Sequence, residues 1–412
     1  MAVLVWEFPP RLVGGLGTYA AEVTRRLVRK GHQVCVFTLN EGGLKTSEDW
    51  YGVQVHRPIV VNFLDSLPDV LATPISRWRE GAMFFSNLLI YNVLSAAKLV
   101  NELVRKWGMD FDVVVAHDWL SIMGGIAIKR ELKLPLIYHI HSTEQGRTMG
   151  RGSSVIVDLE RMGGVHADVI ITVSYAIRDE LLSQGFLETK IRVCYNGVDP
   201  EKYSPDRVRK GDVDAVRERY GMKEEDTMIL FIGRLVAVKG VDRLITAMPE
   251  VLKEFPNTKL VIVGVGEMEA FAGSLIKRLN LEGRVILRCE FIPEEERIAH
   301  YAACDVAVFP SLYEPFGIVC TEAMSMAKPV VVGAKGIAGM REQVIPSGPE
   351  QCGVHINPYD PLDIAWGIKA VLQDPERARR MGRNARRRVL DQFTWDKVVE
   401  HMLGVYAEVV GT

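Results

Sequence analysis

The chain has 412 residues, of which 48% are hydrophobic and 25% charged, and its formal net charge at pH 7 is −2. This length exceeds what one hydrophobic core usually serves, so we expect two domains. The near-neutral charge argues against a protein that binds nucleic acid through a basic surface, and six cysteines without a C-x-x-C pair argue against a zinc ribbon or a thioredoxin-type site.

Short apolar runs alternate with longer helical patterns along the whole chain. In the first half, the runs that predict strands are 3–6, 33–38, 53–57, 113–116, 136–140, 169–173 and 191–195. In the second half they are 228–232, 259–263, 285–288, 306–310 and 330–332. Because continuous apolar strands separated by helices are typical of parallel sheets covered on both faces, the pattern predicts an α/β protein with two doubly wound, Rossmann-like domains.

Turn-forming residues mark the predicted domain boundary at 196–212. We therefore predict an N-terminal domain over 1–200, a C-terminal domain over 201–390, and a final helix over 391–412 that packs back toward the N-terminal domain. Residues 41–82 are predicted as a loop apart from one short strand. The arginine-rich stretch 376–388 is typical of a solvated helix face, with an anion site as the alternative.

Several features bear on where the protein acts. No basic segment of a signal peptide precedes the first strand, and no window of about 20 residues is uniformly apolar. The segment 83–104 comes nearest, and its polar interruptions, including Asn92 and Ser95, predict an amphipathic helix, with peripheral membrane contact as an alternative. Most cysteines lie in apolar runs, which predicts buried free thiols. We therefore expect a cytoplasmic protein without a transmembrane segment.

A glycine-rich turn follows the first predicted strand. Gly14, Gly15 and Gly17 precede a helix that we expect to begin near Tyr19. Glycines let the backbone approach a bound group closely, and the N–H groups at a helix N-terminus attract a diphosphate. A tight turn without a ligand is the alternative. The spacing is not G-x-G-x-x-G, which argues against a nicotinamide-dependent dehydrogenase.

Two cations follow the first strand of the second domain. Arg234 comes after Gly233, and Lys239 stands five residues beyond Arg234, before Gly240. Doubly wound sheets bind their ligands at the carboxyl ends of strands, and a leaving diphosphate gains negative charge that two cations would compensate. A pair of solvated loop cations is the alternative.

Two glutamates flank a Pro-Phe-Gly motif after a later strand. Glu314 precedes Pro315, Phe316 and Gly317, and Glu322 lies eight residues beyond Glu314, within the helix that follows. A loop carboxylate accepts hydrogen bonds from sugar hydroxyls, and a carboxylate in the first turns of the helix can bind a ribose diol. The main-chain N–H groups around Phe316 and Gly317 suit a phosphate.

Polar residues also follow strands of the first domain. Asp118 comes directly after His117 at the end of one strand, and His139 and His141 lie at the end of the next. The spacing of His139 and His141 could suit a metal ion, but no third ligand is evident, so we expect no metal site. We favour a polar wall in which His141 contacts the donor sugar and Asp118 contacts the acceptor or the sugar. Asn196, after a further strand, is either a turn residue or a ligand contact.

Together these motifs resemble the retaining family-four glycosyltransferases, over nearly the whole chain. The two glutamates with Pro-Phe-Gly and the Gly-Arg and Lys-Gly pairs are the most specific elements. Within that family the chain is similar to glycogen and starch synthases, especially short archaeal-type ones. The resemblance implies the GT-B fold, in which two Rossmann-like domains face a central cleft. It also implies transfer of glucose from UDP- or ADP-glucose to an α-glucan, with no cofactor beyond that donor.

The resemblance further implies roles for single residues. Arg234 and Lys239 would hold the diphosphate, Glu314 the donor sugar and Glu322 the ribose, while His141 would lie at the sugar. Because no carboxylate is obviously placed as a nucleophile, we expect retention by front-face substitution, without a metal ion. Closure of the two domains would then exclude water and orient the reactants.

Two departures from the synthase pattern leave other acceptors open. Leu12 stands where synthases usually carry a lysine, and the stretch 141–147 does not continue as it usually does in synthases. One alternative is transfer to a small sugar acceptor, as in the synthesis of sucrose phosphate or trehalose. Another is transfer of mannose from GDP-mannose to a lipid-linked glycan. A non-catalytic regulator that binds a nucleotide sugar is the third.

Overall fold

The computed structural model describes residues 1–12, 14–40, 42–60 and 79–411, and the chain divides into two compact units. The first unit comprises residues 1–172, 178–194 and 399–412, and the second comprises residues 173–177 and 195–398. Of the predicted loop at 41–82, residue 41 and residues 61–78 lie outside the described residues.

The first unit is built on an eight-stranded sheet. Its strands are β1 (Ala2–Leu4), β2 (Cys35–Phe37), β3 (Ser47–Trp50), β4 (Val53–His56), β5 (Val114–His117), β6 (Leu136–Ile140), β7 (Val169–Thr172) and β8 (Ile191–Val193). In space they follow the order β3-β4-β2-β1-β5-β6-β7-β8, and every neighbouring pair is parallel except β3 with β4. The prediction of a single strand within 41–82 was wrong, because β3 is an edge strand with exposed and half-exposed side chains and has no apolar run.

The helices that accompany this sheet connect its parallel strands. They are α1 (Gly15–Arg29), α2 (Arg79–Ala97), α3 (Asp118–Leu132), α4 (Glu144–Arg147), α5 (Ser154–His166) and α6 (Tyr175–Ser183). Helix α1 buries Tyr19, Ala20, Val23 and Leu27, a spacing that places all four on one face of the helix.

The second unit is built on a six-stranded parallel sheet. Its strands are β9 (Thr227–Ile232), β10 (Thr258–Val263), β11 (Val285–Arg288), β12 (Val306–Phe309), β13 (Val330–Gly333) and β14 (Gly353–Ile356). The spatial order β11-β10-β9-β12-β13-β14 corresponds to the 3-2-1-4-5-6 order of the Rossmann fold. The order reverses between β9 and β12, so the carboxyl ends of these two strands are where the fold binds ligands.

Helices cover both faces of the second sheet. They are α7 (Lys210–Arg219), α8 (Val241–Glu254), α9 (Glu269–Arg278), α10 (Glu294–Ala303), α11 (Ile318–Ser325), α12 (Met340–Gln343), α13 (Pro361–Leu372) and α14 (Pro375–Gln392). Along β9, Met228 and Leu230 belong to one hydrophobic cluster, while Ile229 and Phe231 belong to the other. Successive side chains of a strand point to opposite faces, so an uninterrupted apolar strand supplies two cores. The last helix, α15 (Trp395–Val410), ends within the first unit.

Helix α2 differs from the predicted amphipathic helix. Asn92 and Ser95 are buried, whereas Leu89 and Val93 are exposed. The Asn92 amide donates to the carbonyl oxygen of Leu120 at 2.8 Å, which satisfies its polar group inside the unit. Among the described residues, the helical segment Met83–Lys106 is long and apolar enough to cross a membrane by length and composition, and 39% of its most apolar window is buried.

The cysteines follow the prediction of buried free thiols at five positions of six. Cys289 is the exception, since it is exposed after β11.

Candidate functional site

The carboxyl ends of β9 and β12 bring Lys239 and Glu314 together. The ammonium of Lys239 forms an ion pair with the carboxylate of Glu314. Their two loops also touch through the backbone, because the N–H of Leu312 donates to the carbonyl oxygen of Val238 at 2.7 Å. The sequence placed these residues at two strand ends, and the reversal of strand order makes those ends adjacent.

Gly240 makes this close approach possible. It precedes α8 with φ +67°, in the left-handed region that favours glycine. A Cβ at this position would overlap the carbonyl oxygen of Pro310. Packing therefore requires the glycine of the Lys-Gly pair, independently of what Lys239 contacts.

Glu314 is held at several points. Its N–H donates to the carbonyl oxygen of Ile337 at 3.0 Å, and its own carbonyl oxygen accepts from the N–H of Gly339 at 2.7 Å. The hydroxyl of Ser311 donates to its carboxylate at 3.3 Å. The carboxylate is thus buried, paired and fixed in direction.

Arg234 is exposed and follows β9 directly. Its guanidinium has no hydrogen bond or ion pair with any described residue. Beneath it, the backbone of Gly233 packs so closely on Gly264 that a Cβ on Gly264 would overlap the carbonyl oxygen of Gly233. The structure therefore leaves the predicted cation free for a ligand, and it records no direct contact between Arg234 and Lys239.

The Pro-Phe-Gly motif forms the start of α11. The ring of Phe316 is buried against Tyr195 and Phe393, with centroids 6.0 Å away in each case, so only the main chain of Phe316 can reach a ligand. Gly317 has φ +93°, and no side chain caps the helix that it begins. Pro315 is half-buried at the same turn. Uncapped N–H groups at a helix start suit a phosphate.

Glu322 lies within α11, as predicted, and its carboxylate already has partners. The hydroxyl of Tyr301 donates to it at 2.9 Å, and the guanidinium of Arg297 lies 3.4 Å from its other oxygen. The hydroxyl of Tyr203 accepts from Arg297 at 3.1 Å. Burial raises the pKa of Tyr301 well above its ordinary value, which keeps the phenol protonated as a donor. These three neighbours were not predicted from the sequence, because no local pattern connects them to Glu322.

Asn196 and the adjacent Gly197 form a tight connection. A Cβ on Gly197 would lie 2.7 Å from the backbone nitrogen of Trp395, which explains the glycine by packing. The side chain of Asn196 is buried, and its Oδ1 has no hydrogen-bond partner among the described residues. An unsatisfied buried oxygen is unusual, so Asn196 fits a ligand contact better than a turn.

In the first unit, strand register gathers three histidines. His117 on β5 pairs directly with His139 on β6, so the two side chains lie side by side on one face of the sheet. His141 lies two residues beyond His139, and its Nε2 is 3.0 Å from the Nδ1 of His117. Burial lowers the pKa of His117 and His139 well below the ordinary value. Burial also lowers the pKa of His141, against the opposing effect of the Asp118 carboxylate.

These histidines are the one group of three or more potential metal ligands in the described part of the chain, with all ligand atoms within 4.8 Å of one another. The expectation that no third ligand accompanies His139 and His141 was therefore wrong, because β5 supplies His117. Protein partners already engage these rings, since His117 bonds to His141 and both nitrogens of His139 face tyrosine hydroxyls. A cation would have to displace those hydrogen bonds.

Asp118 supports the loop that carries His141. Its Oδ1 accepts the backbone N–H of His141 at 2.8 Å. Its φ of +51° lies in the left-handed region, where a residue other than glycine is strained. The side chain predicted to contact a sugar thus also fixes the backbone of the neighbouring candidate residue.

The glycine-rich turn differs from the prediction in two respects. Helix α1 begins at Gly15, earlier than the expected start near Tyr19, so Gly15 and Gly17 lie in its first turn. The carboxylate of Glu7 accepts the N–H of Gly14 at 3.0 Å. A carboxylate repels a diphosphate, so this turn is less suited to phosphate than its glycines suggested. The contact of Glu7 with this turn was not predicted from the sequence.

Solved structures share this fold at low sequence identity. Sucrose-phosphate synthase from Thermosynechococcus elongatus matches with a TM-score of 0.78 and 21% identity, covering 100% of this chain and 98% of its own. HepE from Anabaena, in complex with UDP-glucose, matches with a TM-score of 0.72, 20% identity and 99% of both chains. The catalytic domain of starch synthase IV from Arabidopsis thaliana, bound to ADP and acarbose, matches with a TM-score of 0.74 and 16% identity, covering 100% and 99%. The protein therefore has the GT-B fold of glycosyltransferases.

Sequence comparison gives the family. A model of the glycosyl transferases group 1 matches residues 212–388, and a model of glycosyltransferase family 4 matches residues 13–202. A glycosyltransferase of Methanocaldococcus jannaschii is 33% identical over 98% of this chain and 97% of its own. A glycogen synthase of Mycobacterium tuberculosis is 32% identical over 97% and 92%, and a D-inositol 3-phosphate glycosyltransferase of Kineococcus radiotolerans is 29% identical over 96% and 91%. The chain therefore belongs to the glycosyltransferases that combine a family 4 N-terminal half with a group 1 C-terminal half.

Proposed function

We propose that this glycosyltransferase moves glucose from UDP- or ADP-glucose to an α-glucan, with retention of anomeric configuration and without a metal ion. The observation that carries the proposal is the Lys239–Glu314 pair at the ends of β9 and β12. It sets a cation beside a fixed carboxylate at the place where a Rossmann-like sheet binds its ligand.

Charge supports binding of a nucleotide sugar in the second unit. Lys239 and the unpartnered Arg234 offer positive charge to a diphosphate, and the uncapped start of α11 at Gly317 offers main-chain N–H groups. Negative charge grows on the diphosphate as it leaves, so fixed cations stabilise the transition state more than the ground state. These groups would neutralise the leaving diphosphate without a metal ion.

The two carboxylates, Glu314 and Glu322, bind different parts of the donor. Glu314, fixed by Lys239 and Ser311, accepts hydrogen bonds from the hydroxyls of the glucose. Glu322, held by Tyr301 and Arg297, accepts hydrogen bonds from the ribose. His141 contributes a neutral imidazole that bonds to a sugar hydroxyl.

The reaction then follows a front-face substitution. The bond between the anomeric carbon and the phosphate oxygen breaks, and the acceptor hydroxyl oxygen forms a bond to the same face of that carbon. The leaving phosphate oxygen accepts the proton of the acceptor hydroxyl. Glu314 is already committed to an ion pair, which favours this scheme over one in which Glu314 acts as the nucleophile.

A small phosphorylated acceptor is the second candidate. D-inositol 3-phosphate glycosyltransferases are also among the relatives, at 29% identity for the one from Kineococcus radiotolerans. The 32% identity to a glycogen synthase over 97% of this chain favours the α-glucan.

A panel of donors and acceptors tests the proposal. UDP-, ADP- and GDP-glucose and GDP-mannose are each incubated with glycogen, D-inositol 3-phosphate or no acceptor, with and without EDTA. We expect transfer from UDP- or ADP-glucose to glycogen that EDTA does not reduce, and NMR of the product to give an α-linkage. Transfer only to inositol phosphate, a β-linkage, or loss of activity in EDTA would each contradict the corresponding part of the proposal.

A further inference from the structure

His117 and His141 form a hydrogen-bonded pair of neutral imidazoles. The Nδ1 of His117 and the Nε2 of His141 are 3.0 Å apart, and the two rings are nearly parallel, with an interplanar angle of 29°. A neutral imidazole carries a proton on one ring nitrogen only, so one ring donates and the other accepts. The bond therefore couples the tautomer of His141 to that of His117.

This pairing decides which atom of His141 faces a ligand. Its Nε2 is occupied by His117, and its Nδ1 has no hydrogen-bond partner among the described residues. When His117 donates, the Nδ1 of His141 carries a proton and can donate. When His117 accepts, that Nδ1 is bare and can accept. A hydroxyl both donates and accepts, so either state fits it.

A third histidine, His139, packs against His117 of this pair. The hydroxyl of Tyr19 lies 3.4 Å from the Nδ1 of His139, and the hydroxyl of Tyr406 lies 3.0 Å from its Nε2. One nitrogen of the neutral His139 ring donates and the other accepts. With both nitrogens used, His139 is fixed against the ring of His117, 4.7 Å away between centroids. The buried His139 ring therefore restricts the position of the His117 ring.

We propose that His117 is a positioning residue, which holds the ring of His141 so that its Nδ1 is presented to a hydroxyl of the sugar. The inference rests on the proposed function, which gives His141 a sugar contact. His117 itself is buried and acts through His141. This role accounts for a buried histidine at the end of β5 beside the one proposed to contact the sugar.

A double-mutant cycle tests this role. His117→Phe keeps a buried ring but removes the hydrogen bond, and we expect kcat/KM to fall about tenfold. His117→Asn places an amide near the position of Nδ1, and we expect it to recover most of that loss. In the His141→Ala background, His117→Phe should cause no further loss, because its partner is gone. Equal losses in both backgrounds would overturn the positioning role.

His56→Phe is the matched control, since His56 is also a buried histidine of the same sheet, bonded through its Nδ1 to Ser47 at 3.1 Å. We expect its kcat/KM to be unchanged. Should His117→Phe fail to fold, ¹⁵N spectra of histidine side chains in the wild-type protein give the same answer. Two neutral rings, each with one N–H, joined by a single N–H···N hydrogen bond support the pair. A doubly protonated His141 at pH 7 contradicts it. Absence of any sugar transfer by the wild type would instead overturn the proposed function.

Discussion

Lys239 and Glu314 are ion-paired although 75 residues separate them in the chain. The pairing follows from the strand order, because β9 and β12 are neighbours on either side of the reversal point. Since Glu314 is buried, its charge needs a partner, and Lys239 supplies one before any ligand binds. In the proposed function the same ammonium also contacts the diphosphate of the donor.

Lys239→Ala should abolish most turnover. Removal of a cation aimed at the leaving group typically costs about a hundredfold or more in kcat. Steady-state kinetics with the donor identified in the panel measure the loss, and circular dichroism checks that the variant is folded. Lys253→Ala is the control, because Lys253 also pairs with a glutamate, Glu250, but is exposed on α8. Turnover like that of the wild type in Lys239→Ala would contradict the assignment.

Gly240→Ala should damage both stability and activity. A left-handed φ costs a residue with a Cβ about 1 kcal/mol, and here the Cβ also overlaps the Pro310 carbonyl. Gly221→Ala is the matched control, since Gly221 has φ +57° but its Cβ would lie 3.8 Å from the nearest atom, on Lys259. Urea denaturation should give a loss of about 1 kcal/mol for Gly221→Ala and a clearly larger one for Gly240→Ala. Equal losses of unfolding free energy in Gly240→Ala and Gly221→Ala would mean that the overlap with the Pro310 carbonyl does not destabilise the fold.

Glu322→Gln should weaken donor binding through the ribose. A hydrogen bond to a charged group contributes about 1.5–3 kcal/mol, so we expect KM for the donor to rise about tenfold or more. Inhibition by a nucleoside diphosphate and by its 2′,3′-dideoxy analogue separates the ribose from the phosphates. The wild type should discriminate between the two inhibitors, and Glu322→Gln should not. The exposed Glu295→Gln on α10 serves as the control.

The placement of the candidate site residues in the second unit was predictable because its signals are local. Arg234, Lys239 and Glu314 each follow an apolar run within a few residues, and parallel strands end at a common edge. Elements without an apolar run escaped prediction. Strand β3 alternates exposed and half-exposed residues, and β14 contains Gly353 and His355, which weaken its pattern.

The histidine network of the first unit was only partly predictable. His139 and His141 stand two residues apart, so their shared face follows from strand periodicity. The pairing of His117 with His141 depends on the register of β5 against β6, which spacing along the chain does not encode. The contact of His139 with Tyr406 joins residues 267 positions apart, and no local signal connects them.

Glu160 should make stability depend on pH. Glu160 is buried, and its Oε1 accepts the N–H of Glu144, three residues after His141, at 2.8 Å. Its Oε2 has no partner among the described residues. Burial raises the pKa of Glu160 to about 8, against the opposing effect of the hydrogen bond and of Arg147. The folded state therefore keeps a proton on Glu160 at neutral pH, where the unfolded state has lost it.

The sign of the effect follows from that difference. Below the unfolded pKa near 4.5, both states are protonated and the stabilisation is fully present. As pH rises toward 8, only the unfolded state releases the proton, so the free energy of unfolding falls. Glu160→Gln cannot ionise and should lose this dependence. Relative to the wild type, the variant should gain on the order of 3 kcal/mol in unfolding free energy between pH 5 and pH 8.

Urea denaturation of both proteins at pH 5 and pH 8 measures that gain. Taking the difference between variant and wild type cancels the contributions of the buried histidines, which act in the opposite direction at acid pH because burial lowers their pKa. Asp158→Asn, an exposed carboxylate on the same helix α5, is the control and should give the same difference at both pH values. If Glu160→Gln behaved like Asp158→Asn, Glu160 would be ionised in the folded protein, and the loop that carries His141 would rest on a buried charge.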